Sequence, residues 1–258
     1  MSSVYLTRKV IDKFSVLPKK KQCNICGKKV FDFLPIKNNY LNKLKKNGFR
    51  HTQKGAFETI DSNHFNCPQC YSIDRERLFA WYMKKHLLFA KDEAILDFAP
   101  SKGFSNWVKQ NYDCKYVTAD LFIEGMDVKT DIENMDVFTD NSFDLVICSH
   151  IMEHVKNDQQ AMNEIFRVLK KPARAIIMTP ILIDFDSVDE DPSCTDVSER
   201  WRRFGQDDHI RLYSKKIFTE RLEKAGFRVK QITSMDIPVA DINKYGLPEN
   251  IVLYICNK

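Results

Sequence analysis

The sequence predicts an α/β fold, a mostly parallel sheet flanked by helices with a small module ahead of it. Three observations predict it. From residue 94 onward, short apolar runs alternate with stretches of helical periodicity, the pattern of parallel strands joined by crossover helices. Two C-x-x-C pairs, Cys23/Cys26 and Cys67/Cys70, stand 40 residues apart in the first quarter. Between the two regimes, residues 94–103 read AILDFAPSKG, an apolar run that ends in an acid and then in small residues.

The 258 residues, 43% hydrophobic and 29% charged, suffice for one large domain or for a large and a small one with a proper core. No apolar run approaches the roughly 18 residues of a membrane span. The opening MSSVYLTRKVIDKF lacks the apolar centre of a signal peptide, so a cytoplasmic protein is expected. In that compartment eight cysteines do not make a disulfide framework. Charge divides the chain: residues 1–75 hold 15 Lys and Arg against 5 Asp and Glu, and the remainder 25 against 30. A basic first quarter implies an anionic partner such as nucleic acid, a nucleotide-linked sugar or a phosphorylated lipid, or else a lysine coat that only keeps the protein soluble.

Each C-x-x-C turn aims two sulfurs at one point, and two such turns complete a tetrahedral four-thiolate zinc site. A redox role would need a thioredoxin-like βαβ context that this lysine-rich stretch lacks. Four cysteines leave no open coordination position, so the zinc is structural and His64 a bystander. Bound zinc contributes on the order of 10 kcal/mol to folding a small module, more than Phe31, Phe33, Leu34 and Phe49 could bury unaided. The module spans residues 1–74. Its insert is expected to be a presentation surface or an oligomer contact, with Lys43, Lys45, Lys46, Arg50 and Lys54 placed to touch an anion.

The elements follow in order. Residues 74–89 form a helix capped by Asp74, its Phe79, Trp81 and Tyr82 facing the core. The strand at residues 94–97 turns through Ala99, Ser101 and Gly103 into a helix over 104–111 carrying Trp107 and Val108. A second strand, 115–121, ends in Asp120, about 20 residues past the first turn, where a nucleoside-binding fold places an acid on ribose hydroxyls. Such charge-assisted bonds contribute roughly 1.5–3 kcal/mol each. A short strand, 128–132, sets Asp131 to accept from an adenine amino group and Ile132 to line the ring. The strand 142–150 discharges into Ile151-Met152-Glu153-His154, followed by a helix over 157–169 and a strand over 173–180. A long polar segment, 181–213, precedes a helix over 214–225 and strands at 227–233 and 250–256.

The phrases LDFAPSKG, TADL, SFDLVICSHIMEH, EIFRVLK and LEKAGF resemble those of class I S-adenosylmethionine (SAM)-dependent methyltransferases over residues 94–258, although Ala99 and Ser101 stand where that family's turn has glycines. With the cysteine pairs and FGQDDHIRLY added, the chain is similar to bacterial methyltransferases associated with surface-polysaccharide synthesis. The resemblance implies a Rossmann-like sheet, mostly parallel with the last strand antiparallel, over a catalytic domain of residues 75–258. It implies SAM held by Asp97, Phe98, Ala99, Pro100, Ser101, Gly103, Asp120, Leu121, Asp131, Ile132 and Ser149. It also implies a sugar or other polar, phosphate-bearing acceptor of cell-surface glycan synthesis.

His150, Glu153 and His154, with His209 beyond, resemble the E-x-x-E-H and distal histidine with which small-RNA 2′-O-methyltransferases hold a divalent ion; ubiquinone-pathway O-methyltransferases share part of it. Here His150 replaces a carboxylate, which disfavours a hard ion and leaves a borderline metal or none. His209 or His154 is then the general base for a hydroxyl acceptor, unless Glu153 and His154 merely order the loop beneath SAM. Asp184, Asp186, Asp189, Glu190 and Asp191, then Arg200, Arg202 and Arg203, read either as a lid gripping an anionic acceptor or as a solvated loop. Two other readings stand: an RNA methyltransferase whose basic zinc module binds the phosphate backbone, as in some rRNA guanine methyltransferases, and a non-catalytic scaffold that has lost SAM. No Asn-Pro-Pro-Tyr-type tetrapeptide supports base methylation.

Overall fold

The computed structural model of the protein describes residues 21–53 and 55–258; the opening stretch read for a leader, and Lys54, lie outside the described residues. Strands β1 (Lys21–Gln22) and β2 (Lys29–Val30) pair antiparallel around the first cysteine turn. That turn is closed by the Gly27 N–H donating to Cys23 O at 2.8 Å. The second closes likewise, the Tyr71 N–H donating to Cys67 O at 2.9 Å. Between them, helix α1 (Asn38–Lys46) buries Leu44 in a cluster with Phe49, Trp201, Phe204 and Leu212. One face of the insert is therefore packed against the rest of the chain, while Lys43, Lys45, Lys46 and Arg50 remain exposed. Its backbone is laced to the carboxyl half of the chain: Glu58 N–H donates to Ile181 O (2.9 Å), Thr59 N–H to Asn250 O (3.0 Å), and Ile183 N–H to Ala56 O (2.9 Å).

Helix α2 (Asp74–His86) starts where the sequence predicts, but Ile73 is its cap and Asp74 lies in its first turn. It stops at His86 and does not run on to residue 89. Strand β3 (Ala94–Phe98), buried at every residue, lies inside the sheet, and helix α3 (Lys102–Asn111) follows it. Next come β4 (Lys115–Asp120), β5 (Val128–Lys129), β6 (Phe143–Ser149), α4 (Asp158–Val168) and β7 (Leu169–Met178). The polar segment after β7 is itself structured. It holds β8 (Ile181–Leu182), β9 (Val188–Glu190), α5 (Val197–Phe204) and β10 (Arg211–Ser214), whose strands make a separate sheet in the order β8-β10-β9. Helix α6 (Lys215–Lys224), β11 (Arg228–Thr233), α7 (Val239–Tyr245) and β12 (Val252–Asn257) complete the chain.

The main sheet runs β11-β12-β7-β6-β3-β4-β5, with β12 antiparallel to both neighbours and the other pairs parallel. Side chains on a strand alternate between faces, and burial on both faces is why these strands read as continuous apolar runs. Ile95, Leu145, Ile147 and Ile176 pack beneath α2 and α3, while Leu96, Val146, Cys148 and Ile177 pack beneath α4 and α6. No helix among the described residues is long and apolar enough to cross a membrane.

One buried arginine ties the cysteine module to this sheet. Arg77, 0% exposed, donates five hydrogen bonds to backbone carbonyls: Nε to Tyr245 O, Nη1 to Phe65 O and Ser72 O, Nη2 to His64 O and Gly246 O, at 2.6–3.1 Å. Its guanidinium also lies 3.8 Å from the Phe33 ring centroid. A buried cation is tolerable when every donor is satisfied, and the geometry here satisfies all five.

Candidate active site

In an open parallel sheet, ligands bind beyond the carboxyl ends of the strands where connections diverge to opposite sides. That point lies between β3 and β6, since β4 and β5 extend one way and β7 the other. The backbone turns sharply at both strand ends. Ala99 and His150 take left-handed conformations, φ 48° and 58°, which non-glycine residues seldom adopt. Each turn is pinned, Ala99 N–H donating to Ala119 O at 2.9 Å and His150 N–H to Met178 O at 2.8 Å. Ser101 caps α3 by accepting the Phe104 N–H at 3.1 Å. Gly103 lies inside that helix, where a Cβ would meet only Ser101 Oγ at 3.8 Å, so the left-handed position of this turn is Ala99.

The residues predicted to line a nucleoside site separate into two groups. Asp120 accepts the Phe122 and Ile123 N–H groups on one carboxylate oxygen, at 2.6 and 2.7 Å, and its other oxygen has no hydrogen-bond partner among the described residues. Asp131 accepts the Glu133 N–H at 2.9 Å, and Leu121 and Pro100 are half-buried beside these turns. Ser149 Oγ is buried with no partner, an orphaned donor at the carboxyl end of β6. These features fit a nucleoside cofactor. Three others are buried. Asp97 is 2% exposed and its carboxyl accepts the Tyr116 hydroxyl at 2.7 Å, so it braces β3 against β4. Phe98 and Ile132 belong to the buried core. Asp97 and Phe98 face opposite sides of β3, and Ile132 lies in the turn after β5.

The histidine motif converges as predicted. Glu153 is 0% exposed; its Oε2 accepts the Thr179 hydroxyl at 2.9 Å, and its Oε1 lies 3.3 Å from His150 Nδ1 and 4.0 Å from His209 Nε2. His154 Nδ1 meets Asp208 at 3.3 Å, and the His154 and His209 rings stand edge to face at 4.6 Å. The insertion returns His209 to this point because Ile210 N–H donates to Glu153 O and Arg211 donates to Met152 O, 2.9 and 2.8 Å. Burial alone would raise the Glu153 carboxyl, but the surrounding imidazoles hold it below the usual range. Burial and the Arg75 charge push His150 down to about 4 despite Glu153. Burial also lowers His209, whereas His154 is raised, the Asp208 and Glu153 carboxylates outweighing its burial. Donor atoms of Glu153, His154 and His209 all lie within 4.8 Å of one another, close enough to hold one metal ion; His150 is not in that group.

A cavity of about 520 Å³ opens onto His150 and His209. Its roof is the cysteine-module insert, through Ile36, Tyr40, Phe49, Phe57 and Phe65, and its floor includes Pro180, Phe204 and Leu212. Sequence reasoning missed this chamber, along with Thr179 and Arg75. The acid run and arginine cluster do not face it as a lid with free cations: Arg203 pairs with Asp189 and Asp191, Arg202 with Glu199, and Arg221 joins Glu190 to Asp158. Arg200 donates to the Cys194 and Asp207 carbonyls.

The four cysteine sulfurs of residues 23, 26, 67 and 70 also lie within 4.8 Å of one another, Cys23 to Cys70 at 3.7 Å and Cys26 to Cys67 at 4.0 Å. Thiolates around a tetrahedral zinc ion, each about 2.3 Å from it, stand about 3.8 Å apart, and a disulfide would need about 2.05 Å. The spacing thus suits a metal ion and not a disulfide. His64 is outside the cluster, bound to Asp61 at 2.6 Å and beside Asp32 at 3.5 Å.

A mostly parallel sheet in this strand order, with one antiparallel strand next to its edge and polar groups of Asp120 and Ser149 at strand ends, has the architecture of class I SAM-dependent methyltransferases. Residues 71–232 match the family model described as "Methyltransferase domain", and the chain belongs to that family. Among solved structures, a SAM-dependent methyltransferase from Archaeoglobus fulgidus is 18% identical, covering 71% of this chain and 94% of its own, with a TM-score of 0.44. The YcgJ protein of Bacillus subtilis is 14% identical over 69% of this chain and 93% of its own, TM-score 0.46. A phosphoethanolamine N-methyltransferase from Haemonchus contortus, in complex with phosphomonomethylethanolamine and S-adenosylhomocysteine, is 18% identical over 60% of this chain and 39% of its own, TM-score 0.43. An uncharacterized protein of Methanocaldococcus jannaschii is 43% identical over 51 residues, 20% of this chain and 21% of that one; the match thus spans about a fifth of that relative.

Proposed function

We propose that the protein transfers the methyl group of SAM to a hydroxyl of a small polar acceptor, a sugar or a phosphate-bearing precursor of a cell-surface glycan, with a structural zinc ion in the Cys23/Cys26/Cys67/Cys70 module. The observation that carries this reading is the chamber that begins at His150 and His209 and is closed over by the insert; its volume suits a small molecule. SAM, when bound, supplies a methyl carbon made electrophilic by its sulfonium. Asp120, Ser149 and the turn at Ala99 would hold it, and the chamber would hold the acceptor. Positioning of this kind contributes several kcal/mol to lowering a barrier.

The acceptor's proton is left to a base, and His209 is suited to take it. Its Nδ1 lies 3.3 Å from Phe204 O; with Nδ1–H donating there, Nε2 carries the free lone pair. Burial keeps the ring neutral. Glu153 then steadies the imidazolium that forms. Calorimetric titration of SAM into the purified protein tests the reading, and absence of binding by folded protein ends it. In His209→Ala, turnover should fall about 100-fold or more with SAM affinity unchanged; equal loss of both would make His209 a structural residue. Turnover that survives EDTA supports His209 as base without metal, whereas loss restored by a divalent ion would assign Glu153, His154 and His209 as metal ligands. A methyl-transfer screen over nucleotide sugars, oligosaccharides and RNA decides the acceptor class.

A further inference from the structure

The chamber beneath the insert has an electrostatic character that its aromatic walls hide. Its lining includes Arg75 and Lys37 but no Asp or Glu. Arg75, in the first turn of α2, is half-buried, and among the described residues its guanidinium makes no hydrogen bond or ion pair. Its charge is felt by His150 and by the Asp74, Glu76 and Glu153 carboxylates, none of which bonds it. The contrast with the chain's other inward arginines is sharp. Arg77 has five carbonyl partners, Arg211 is bound to Glu190 and to the Met152 carbonyl, and Arg203 and Arg221 are neutralised by acids. A partly desolvated guanidinium without a partner is costly unless a ligand completes it, and its fork matches a carboxylate or a phosphate in a two-point contact.

We propose that Arg75 is an acceptor-binding residue that grips an anionic group, carboxylate or phosphate, on a substrate whose ring face, such as that of a sugar, lies against Tyr40, Phe49 and Phe65. The inference rests on the methyl-transfer reading for its name, since it says which molecules that reaction accepts. The site it describes is independent of it. Arg75 lines the same chamber as His150 and His209, so an acceptor anchored on it shares that chamber with both imidazoles. Neutral sugars lacking an anion would leave the guanidinium uncompensated and be rejected on that account.

The test uses the full chain with benzoate, phenyl phosphate and the neutral benzyl alcohol as probes, followed by calorimetry and by the NMR signal of the Arg75 side-chain Nε–H. The wild type should bind at least one anion more tightly than benzyl alcohol, and that anion should move the Arg75 signal. Whichever of the two anions is preferred distinguishes carboxylate from phosphate substrates. Arg75→Met should lose tenfold or more in affinity for the anion and keep its weak affinity for benzyl alcohol; Arg75→Lys should recover part of the loss. Equal binding of charged and neutral probes, an unmoved Arg75 signal, or no saturable anion binding up to about 10 mM overturns the proposal, and the wild-type arm decides even where Arg75→Met fails to fold. S-adenosylhomocysteine titrated in parallel reports separately: its failure to bind sinks the methyl-transfer reading and leaves the anion site standing.

Discussion

Gly246 joins α7 to the loop before β12 at the point where the cysteine module meets the sheet. Its φ is 56°, and a Cβ added there would lie 2.3 Å from Phe33 Cδ2 and 2.5 Å from Cε2. The Phe33 ring cannot give way cheaply, because the Arg77 guanidinium covers it and donates to the Gly246 carbonyl at 2.9 Å. Gly246→Ala therefore incurs two costs. The left-handed backbone contributes about 1–2 kcal/mol, and forcing the packed ring aside about 1–3 kcal/mol more. Gly55→Ala is the control: φ is 77° with nothing within 4 Å of a Cβ, so only the backbone cost applies. Urea unfolding of the two variants beside wild type should place Gly246→Ala lower by the packing cost. At about 2–4 °C per kcal/mol for a chain of this size, its Tm should fall by roughly 5–15 °C. A Gly246→Ala variant no less stable than Gly55→Ala would refute the claim that the module is docked through Phe33 and Arg77.

Burial pushes Asp97 up to about 8, the Tyr116 hydroxyl opposing and the Glu76 charge adding to it. A folded-state pKa above the unfolded value means that the folded chain holds the proton more tightly, so this group's contribution to stability falls as pH rises from about 4 to about 8. Asp97→Asn removes that dependence, and the stability of wild type relative to the variant should drop on the order of 5 kcal/mol across the interval; urea midpoints that shift in parallel from pH 5 to 8 would contradict it. Zinc should be present at about one ion per chain in reduced protein and absent from Cys67→Ser, with cooperative unfolding weakened by several kcal/mol. Metal analysis that finds equal zinc in both removes the structural-zinc assignment.

Local pattern determined much of this protein. Alternation of apolar strands with helical stretches announced the parallel sheet, because a strand buried on both faces cannot be written with polar residues. Paired cysteine turns announced their cluster for a similarly local reason: a C-x-x-C turn aims its sulfurs whatever surrounds it. The phrase from Ser149 to His154 put its acid and imidazoles beside one another simply by lying within one loop. Other features depended on approaches between distant segments, which no short window encodes. Asp97, Phe98 and Ile132 have suitable residue types near strand ends, yet packing buries them, while Asp120 and Ser149 keep polar atoms without partners at the strand ends. Arg203 of the insertion looks free in sequence and is paired with Asp189 and Asp191, which the fold of the insertion brings near. The chamber exists because residues 36–66 are laced by backbone hydrogen bonds to strands over a hundred residues later, and that closure leaves Arg75 partly desolvated without a partner. Periodicity sets which residues are buried; only tertiary packing decides which buried charges are paired and which await a ligand.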